Sequence, residues 1–189
     1  MTKSILLVGV GGQGTILASK ILTTGLMEAG YDVKMSEIHG MSQRGGSVSS
    51  QVRYGEHVAS PVIEHGGADM IIAFEKMEAL RSLGFLKKEG TVVVNDDEIP
   101  SIPVITGEEE YAPDILGEIA KYVPARVVSA SKLAEELGNA RVANIILLGT
   151  IVKIMGLESI DWAGIIRSTV KEKFVDINIK ALEAGMQAV

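Results

Sequence analysis

The first apolar run of the chain leads directly into a helical pattern. Residues 4–8, SILLV, read as a strand buried on both faces of a sheet. The next apolar stripe has helical spacing and stops at Gly30; it consists of Ala18, Leu22, Leu26 and Ala29. Residues 32–36, DVKMS, form the next predicted strand, so the first 37 residues are predicted to form a β–α–β unit.

Strands and helices alternate through the middle of the chain. Residues 47–55, SVSSQVRYG, alternate in the manner of a strand, and we predict a β-hairpin that pairs them with residues 57–63, HVASPVI. Three further β-rich runs, MIIAF, TVVVN and RVVSA, are separated by helical candidates over 76–83 and 113–122. This alternation predicts an α/β fold: a doubly wound, mainly parallel sheet with a β-hairpin insertion.

The remainder of the chain is predicted to be helical. Helices are expected over 132–137, 141–155, 160–173 and 175–189. The last carries one apolar stripe, made of Phe174, Ile177, Ala181, Leu182, Gly185 and Met186. We expect a single domain over 1–189, with the sheet in 1–130 and a helical C-terminal segment in 131–189.

Composition narrows the class of protein. A chain of 189 residues with 47% apolar and 22% charged residues is typical of one folded domain. The net charge is −6 and no basic block occurs, which argues against nucleic acid or anionic lipid as a partner. The longest uncharged stretch, 142–152, is shorter than the roughly 20 residues of a membrane helix, and glycines end the first apolar run too soon for a signal peptide. We therefore expect a cytoplasmic protein.

The absence of cysteine excludes several kinds of site. Iron–sulfur clusters are normally held by cysteine thiolates, so a redox centre of this type must lie on another chain. Disulfides and thiol nucleophiles are excluded as well. The three histidines, His39, His57 and His65, do not have the i, i+4 spacing of a helical metal pair, so no metal site is expected.

A glycine-rich loop follows the first strand. Gly9, Gly11 and Gly14 fit the G-x-G-x-x-G pattern between a strand and a helix, where a helix N-terminus offers N–H groups to an anion. Glu37 follows at close to the spacing of about 20 residues expected for the acidic residue that binds a ribose in dinucleotide sites. The pattern thus favours a dinucleotide; the alternative is that the glycines serve only to pack the helix tightly on the sheet.

A second polar segment follows the second predicted strand. Residues 36–53 contain His39, Ser42, Gln43 and Arg44, followed by the pair Gly45 and Gly46. Because loops at the carboxyl ends of parallel strands meet at one sheet edge, this segment should converge with the glycine loop. The Arg44 guanidinium suits a phosphate or carboxylate, and the His39 imidazole could transfer a proton. Alternatively, His39 is a hydrogen-bonded structural residue and Arg44 lies in a solvated turn.

Together the two segments resemble a known family. The stretches GVGGQGTILASKIL, HGMSQRGGSVSSQVR, SPVI, ADMIIAFEKMEALR and RVANIILLG occur in the order seen in the gamma-type domain of 2-oxoacid:ferredoxin oxidoreductases. The closest likeness is to the small (beta) subunit of the indolepyruvate branch. Glu75, Glu78 and Arg81 in FEKMEALR add to the match, which spans nearly the whole chain.

The resemblance implies a subunit that holds none of the redox cofactors. In such enzymes a 2-oxoacid is decarboxylated on thiamine diphosphate, electrons pass through iron–sulfur clusters to ferredoxin, and coenzyme A accepts the acyl group. This chain also lacks the GDG segment of a thiamine diphosphate and magnesium motif. The resemblance therefore places thiamine diphosphate, magnesium and the clusters on a larger partner subunit, and coenzyme A at a site shared with it.

These expectations assign roles to named residues. Gly9, Gly11, Gly12, Gln13 and Gly14 would form one wall of a phosphate or partner pocket, and Arg44, Gly45 and Gly46 another. Arg44 and His39 are the candidate catalytic residues. Two alternatives remain open from the residues alone: a self-sufficient nucleotide-binding oxidoreductase, and a scaffold subunit whose loops contact only protein.

Overall fold

The computed structural model describes residues 2–39 and 45–189. Within these residues six strands form one sheet, in the spatial order β2-β3-β1-β4-β5-β6. The strands are β1 (Lys3–Val10), β2 (Asp32–His39), β3 (Ser47–Gly55), β4 (Ala68–Ala73), β5 (Leu86–Asn95) and β6 (Ala125–Val128). Strands β1, β4, β5 and β6 pair in parallel, whereas β3 is antiparallel to both β1 and β2. The predicted mainly parallel sheet is confirmed.

The helices cover both faces of this sheet. They are α1 (Thr15–Glu28), α2 (Lys76–Ser82), α3 (Ile102–Thr106), α4 (Ile115–Ala120), α5 (Ala130–Glu136), α6 (Ala143–Ile154), α7 (Trp162–Thr169) and α8 (Val175–Gln187). On β1, Ile5 and Leu7 belong to the core shared with α1 and α5 to α8. Leu6 and Val8 point to the opposite core, which α2 and α4 cover. Apolar side chains on both sides of β1 explain its continuous apolar sequence and confirm the doubly wound arrangement.

The predicted hairpin between residues 47–55 and 57–63 is wrong. Strand β3 forms its hairpin with β2 instead, and it lies in the interior of the sheet between β2 and β1. Residues 57–63 contain no strand. Two of their main-chain N–H groups donate to side chains instead of to a neighbouring strand. Asp32 accepts a hydrogen bond from the Val58 N–H (2.8 Å), and Gln51 accepts one from the Ile63 N–H (2.6 Å).

The C-terminal helices form part of the larger core. All residues of α6 from Asn144 to Val152 are buried, and α8 lies directly against this helix. A Cβ atom added at Gly185 would lie 1.9 Å from the Ile146 carbonyl oxygen, so the two helix backbones approach as closely as glycine allows. No helix of the described residues has the length and apolarity needed to cross a membrane.

One short helix escaped prediction from the sequence. Helix α3 begins directly after a proline-containing stretch, and Pro103 lies in its first turn, a position that proline tolerates well. Its residues include Ile102 and Ile105, which are exposed to solvent. Without a buried stripe the segment has no helical periodicity for sequence analysis to detect.

Candidate functional site

The site lies at the carboxyl edge of the sheet, between β1 and β4. Beyond β1 the chain continues to β2 and β3 on one side of the sheet, and beyond β4 it continues to β5 and β6 on the other. The helices after these two strands, α1 and α2, pack on opposite faces. This divergence leaves a crevice at the ends of β1 and β4, which is where open α/β sheets bind ligands.

The glycines of the loop after β1 are required by local geometry. Gly12 and Gly14 have φ values of 108° and 80°, in the left-handed region that favours glycine. A Cβ atom at Gly14 would also lie 2.6 Å from Nδ2 of Asn144, and one at Gly9 would lie 2.9 Å from Cβ of Phe74. The packing alternative raised by the sequence thus accounts for these glycines in part.

Both the oxygen and the nitrogen of the Gln13 side-chain amide make hydrogen bonds to the main chain. Its Oε1 accepts a hydrogen bond from the Val10 N–H, and its Nε2 donates to the Phe74 carbonyl oxygen, both at 2.8 Å. The side chain therefore ties the end of β1 to the residue after β4. The Gln13 main-chain N–H also donates, to the Val10 carbonyl oxygen at 3.2 Å, so the residue has a structural role at the crevice.

The two glycine segments meet as the sequence analysis expected. The Gly11 N–H donates to the Gly46 carbonyl oxygen at 2.8 Å, and the Gly45 N–H donates to the Gly11 carbonyl oxygen at 3.3 Å. These paired main-chain bonds join the loop after β1 to the segment that leads into β3. The predicted residues Ser42, Gln43 and Arg44 lie outside the described residues.

An open cavity of about 310 Å³ lies beside the joined segments. Its lining consists of Gly11, Gly12, Gly14, Thr15, Ile16, His39 and Val48. Helix α1 begins in this wall, and no side chain among the described residues caps it. The first N–H groups of a helix have no partner within the helix and carry partial positive charge, so they favour an anion. His39 is exposed at the end of β2, at the rim of the cavity.

Glu37 does not occupy the position of a ribose-binding carboxylate. Strand β3 separates β2 from β1, which moves Glu37 one strand, about 4.8 Å, farther from the glycine loop than in a sheet where the two strands are neighbours. Its Oε1 lies 3.3 Å from the Ser19 hydroxyl on α1, whose single hydrogen is shared with the Ile16 carbonyl oxygen at 3.0 Å. The carboxylate thus braces α1 against β2, and Glu37 is absent from the lining of the cavity.

A second, larger cavity of about 620 Å³ lies on the other side of the glycine loop. Its polar lining includes Asn95, Asp97, Ser131, Arg141 and Asn144. Nδ2 of Asn144 donates to the Gly14 carbonyl oxygen at 3.1 Å, while its buried Oδ1 has no hydrogen-bond partner among the described residues. The sequence analysis did not select Asn144 for the site. The sequence feature that could have marked this residue is a polar amide side chain within the apolar run VANIILLG.

A cluster of buried carboxylates at the start of α2 borders the site. Glu75 is 1% exposed and accepts hydrogen bonds from the Glu78 N–H (2.9 Å), the Ile99 N–H (3.3 Å) and the Tyr111 hydroxyl. Burial, with the hydrogen bond to Glu75, raises the pKa of the Tyr111 phenol above its ordinary value. The described residues hold no group of His, Cys, Asp and Glu that is suited to a metal ion.

Comparison with known proteins decides the family. The family described as pyruvate ferredoxin/flavodoxin oxidoreductase matches residues 4–188. The chain belongs to this family. It is 41% identical to the indolepyruvate oxidoreductase subunit IorB of Archaeoglobus fulgidus, over 98% of this chain and 94% of that subunit. The IorB subunit of Thermococcus kodakarensis is 39% identical, over 98% of this chain and 95% of its own length.

A solved structure supports the fold. The keto/oxoacid ferredoxin oxidoreductase gamma subunit from Geobacter sulfurreducens superimposes with a TM-score of 0.73 at 24% identity, covering 98% of this chain and 97% of that one. The resemblance inferred from the sequence is thereby confirmed, and the chain is a small subunit of a 2-oxoacid:ferredoxin oxidoreductase. The predicted role as a subunit is thus confirmed, and the alternative of a self-sufficient oxidoreductase is not supported.

Proposed function

We propose that this chain is the non-cluster subunit of an enzyme that oxidatively decarboxylates indolepyruvate and related aryl pyruvates. The support for this substrate class is the identity of 41% and 39% to subunits named for indolepyruvate. The partner is a larger subunit that carries thiamine diphosphate, magnesium and iron–sulfur clusters. These groups supply decarboxylation and electron transfer to ferredoxin, and coenzyme A accepts the acyl group.

The residues of this chain fit a contribution to coenzyme A binding and do not fit a cluster. The chain has no cysteine, so it offers no thiolate for an iron–sulfur site. The observation that carries the proposal is the cavity where the start of α1 and the joined glycine segments meet. Its main-chain N–H groups suit the phosphates of coenzyme A. Arg44, which enters this proposal from the sequence alone, would add a forked cationic donor.

The open side of the cavity suits a wall provided by the partner subunit. Ile16 lines the cavity and is 53% exposed. An exposed apolar side chain at the mouth of an open cavity gains free energy when another surface covers it. We propose that the larger subunit covers this mouth, so that the coenzyme A site is complete only in the assembled enzyme.

The test of this function uses the reconstituted complex of this chain with its larger subunit. Indolepyruvate should support the reduction of ferredoxin or a viologen dye in a reaction that depends on coenzyme A. Arg44→Ala should leave assembly intact and raise the KM for coenzyme A about ten- to hundredfold, since a charged hydrogen bond contributes about 1.5–3 kcal/mol.

A matched variant controls for the loss of an exposed cation. Arg126 is exposed on β6, the edge strand that lies two strands beyond β4, so Arg126→Ala should leave the KM for coenzyme A unchanged. Equal kinetics for Arg44→Ala and the unaltered complex would exclude Arg44 from the site. Pocket variants that weaken assembly without changing turnover would instead support the scaffold alternative.

A further inference from the structure

Glu78 has a buried carboxylate whose two oxygens bind two different partners. The residue is 4% exposed, although it lies on a short surface helix. Its Oε2 accepts a hydrogen bond from the Ser47 hydroxyl at 2.5 Å, and its Oε1 accepts one from the Arg81 guanidinium at 2.7 Å. Burying a charge is costly unless it is paired and hydrogen-bonded. The arrangement satisfies that requirement by linking α2 to the first residue of β3.

The link from Glu78 continues to the glycine loop. Ser47 directly follows Gly46, whose carbonyl oxygen accepts the hydrogen bond from the Gly11 N–H at 2.8 Å. Glu78 is therefore separated from the loop after β1 by two hydrogen bonds and one peptide link. Glu75 holds the start of α2 in place, because its carboxylate accepts a hydrogen bond from the Glu78 N–H.

We propose that Glu78 is a positioning residue for the candidate site. Its carboxylate sets the place of Ser47, and through Gly46 it sets where the Gly11 main chain lies in the wall of the cavity. Packing alone does not require a carboxylate here, because an apolar residue would fill the same space without the cost of a buried charge. The identity of the ligand as coenzyme A rests on the function proposed above, whereas the link between Glu78 and Gly11 does not.

The test compares four variants in the assembled enzyme. Ser47→Ala removes the hydroxyl donor, Glu78→Gln removes the charge, and Ser47→Thr keeps the hydroxyl. Asp69→Asn is the matched control, because Asp69 also bridges elements by accepting from the Ser4 N–H and the Lys87 ammonium, both at 2.8 Å. Asp69 pairs with the start of β1, at the opposite edge of the sheet from the glycine loop.

The positioning role predicts a specific kinetic change. Ser47→Ala and Glu78→Gln should raise the KM for coenzyme A roughly tenfold, equivalent to about 1.4 kcal/mol, with kcat within about twofold of the unaltered enzyme. Ser47→Thr should restore the KM, and Asp69→Asn should not change it. A merely structural role would reduce the amount of active enzyme, and hence the apparent kcat, without selectively raising this KM.

Hydrogen exchange separates this proposal from the proposed function. The Gly11 amide in the assembled enzyme should exchange about tenfold faster in Ser47→Ala and Glu78→Gln, and at the original rate in Ser47→Thr. Unchanged Gly11 exchange in the first two variants would overturn the positioning role. Faster exchange with an unchanged KM for coenzyme A would support the role of Glu78 and would reject coenzyme A as the ligand of this cavity. Ser47→Ala, the milder change, decides the matter if Glu78→Gln fails to fold.

Discussion

Replacing Gly14 with alanine tests how the glycine loop is built. The residue has a φ of 80°, and its added Cβ would lie 2.6 Å from Nδ2 of Asn144. The left-handed conformation costs alanine about 1–2 kcal/mol. Displacing Asn144 also breaks its hydrogen bond to the Gly14 carbonyl oxygen, worth about 0.5–1.5 kcal/mol net. Gly14→Ala should therefore lower the free energy of unfolding by about 1.5–3.5 kcal/mol.

Gly12→Ala provides the control for this prediction. Gly12 also has a positive φ, 108°, but nothing lies within 4 Å of its added Cβ. Its replacement should cost only the conformational part, about 1–2 kcal/mol. The assay is urea unfolding of the purified chain followed by circular dichroism, with the slope checked for constancy between variants.

Combining Gly14→Ala with Asn144→Ala isolates the contact between the two residues. Removing the amide also removes the unpartnered Oδ1 and opens space for the new Cβ, so the second replacement should partly relieve the first. We expect a coupling free energy of about 0.5–1.5 kcal/mol in the double-mutant cycle. Equal costs at Gly12 and Gly14, together with additive effects in the cycle, would refute the proposed role of Asn144 in supporting the loop.

Two further predictions follow from the site and the charge pairs. The purified chain should show no measurable NAD or NADP binding by calorimetry. Coenzyme A should bind weakly to the chain and more tightly to the complex. Micromolar NADH binding that Glu37→Ala abolishes would contradict the first of these expectations. Partial burial opposes ionisation of Asp69, but hydrogen bonds from Lys87 and the Ser4 N–H outweigh it and hold the pKa of this carboxyl below its ordinary value. Because the folded-state pKa is lowered, the stabilisation is present above the unfolded pKa of about 3.9 and is lost as the pH falls through the folded pKa. The difference in unfolding free energy between the unaltered chain and Asp69→Asn should therefore shrink in acid, and a constant difference from pH 7 to pH 2.5 would refute it.

Local sequence patterns predicted most of the fold because they report burial directly. The apolar run at the start of β1 reflects two covered faces, and the stripe on α1 reflects one. The hairpin prediction failed because pairing partners are chosen by packing across the whole sheet. Val52 and Tyr54 of β3 are buried in the core beneath α1, which requires an interior strand and leaves residues 57–63 without a place in the sheet.

The site was predictable where main-chain geometry determined it, and less so where it depended on distant contacts. Positive φ values at Gly12 and Gly14 follow from the turn between β1 and α1, which the glycine spacing predicted. Asn144 reaches the loop across 130 positions of sequence, and Ser47 reaches Glu78 across 31. No periodicity in the sequence encodes such a contact, since each depends on how a helix packs against a distant part of the fold.

The antiparallel strand β3 explains why a glycine fingerprint need not indicate a dinucleotide. In a sheet where the first two parallel strands are neighbours, the carboxylate ending the second strand reaches a ribose bound at the glycine loop. Here β3 occupies that neighbouring position, so Gly45 and Gly46 contact Gly11 where the ribose partner would otherwise approach. Main-chain N–H and carbonyl groups therefore lie beside the glycine loop where an acidic side chain would lie in a dinucleotide site. Glu37 instead lies near the Ser19 hydroxyl. We propose that the same glycines contact a phosphate-bearing ligand and that a second subunit completes its recognition.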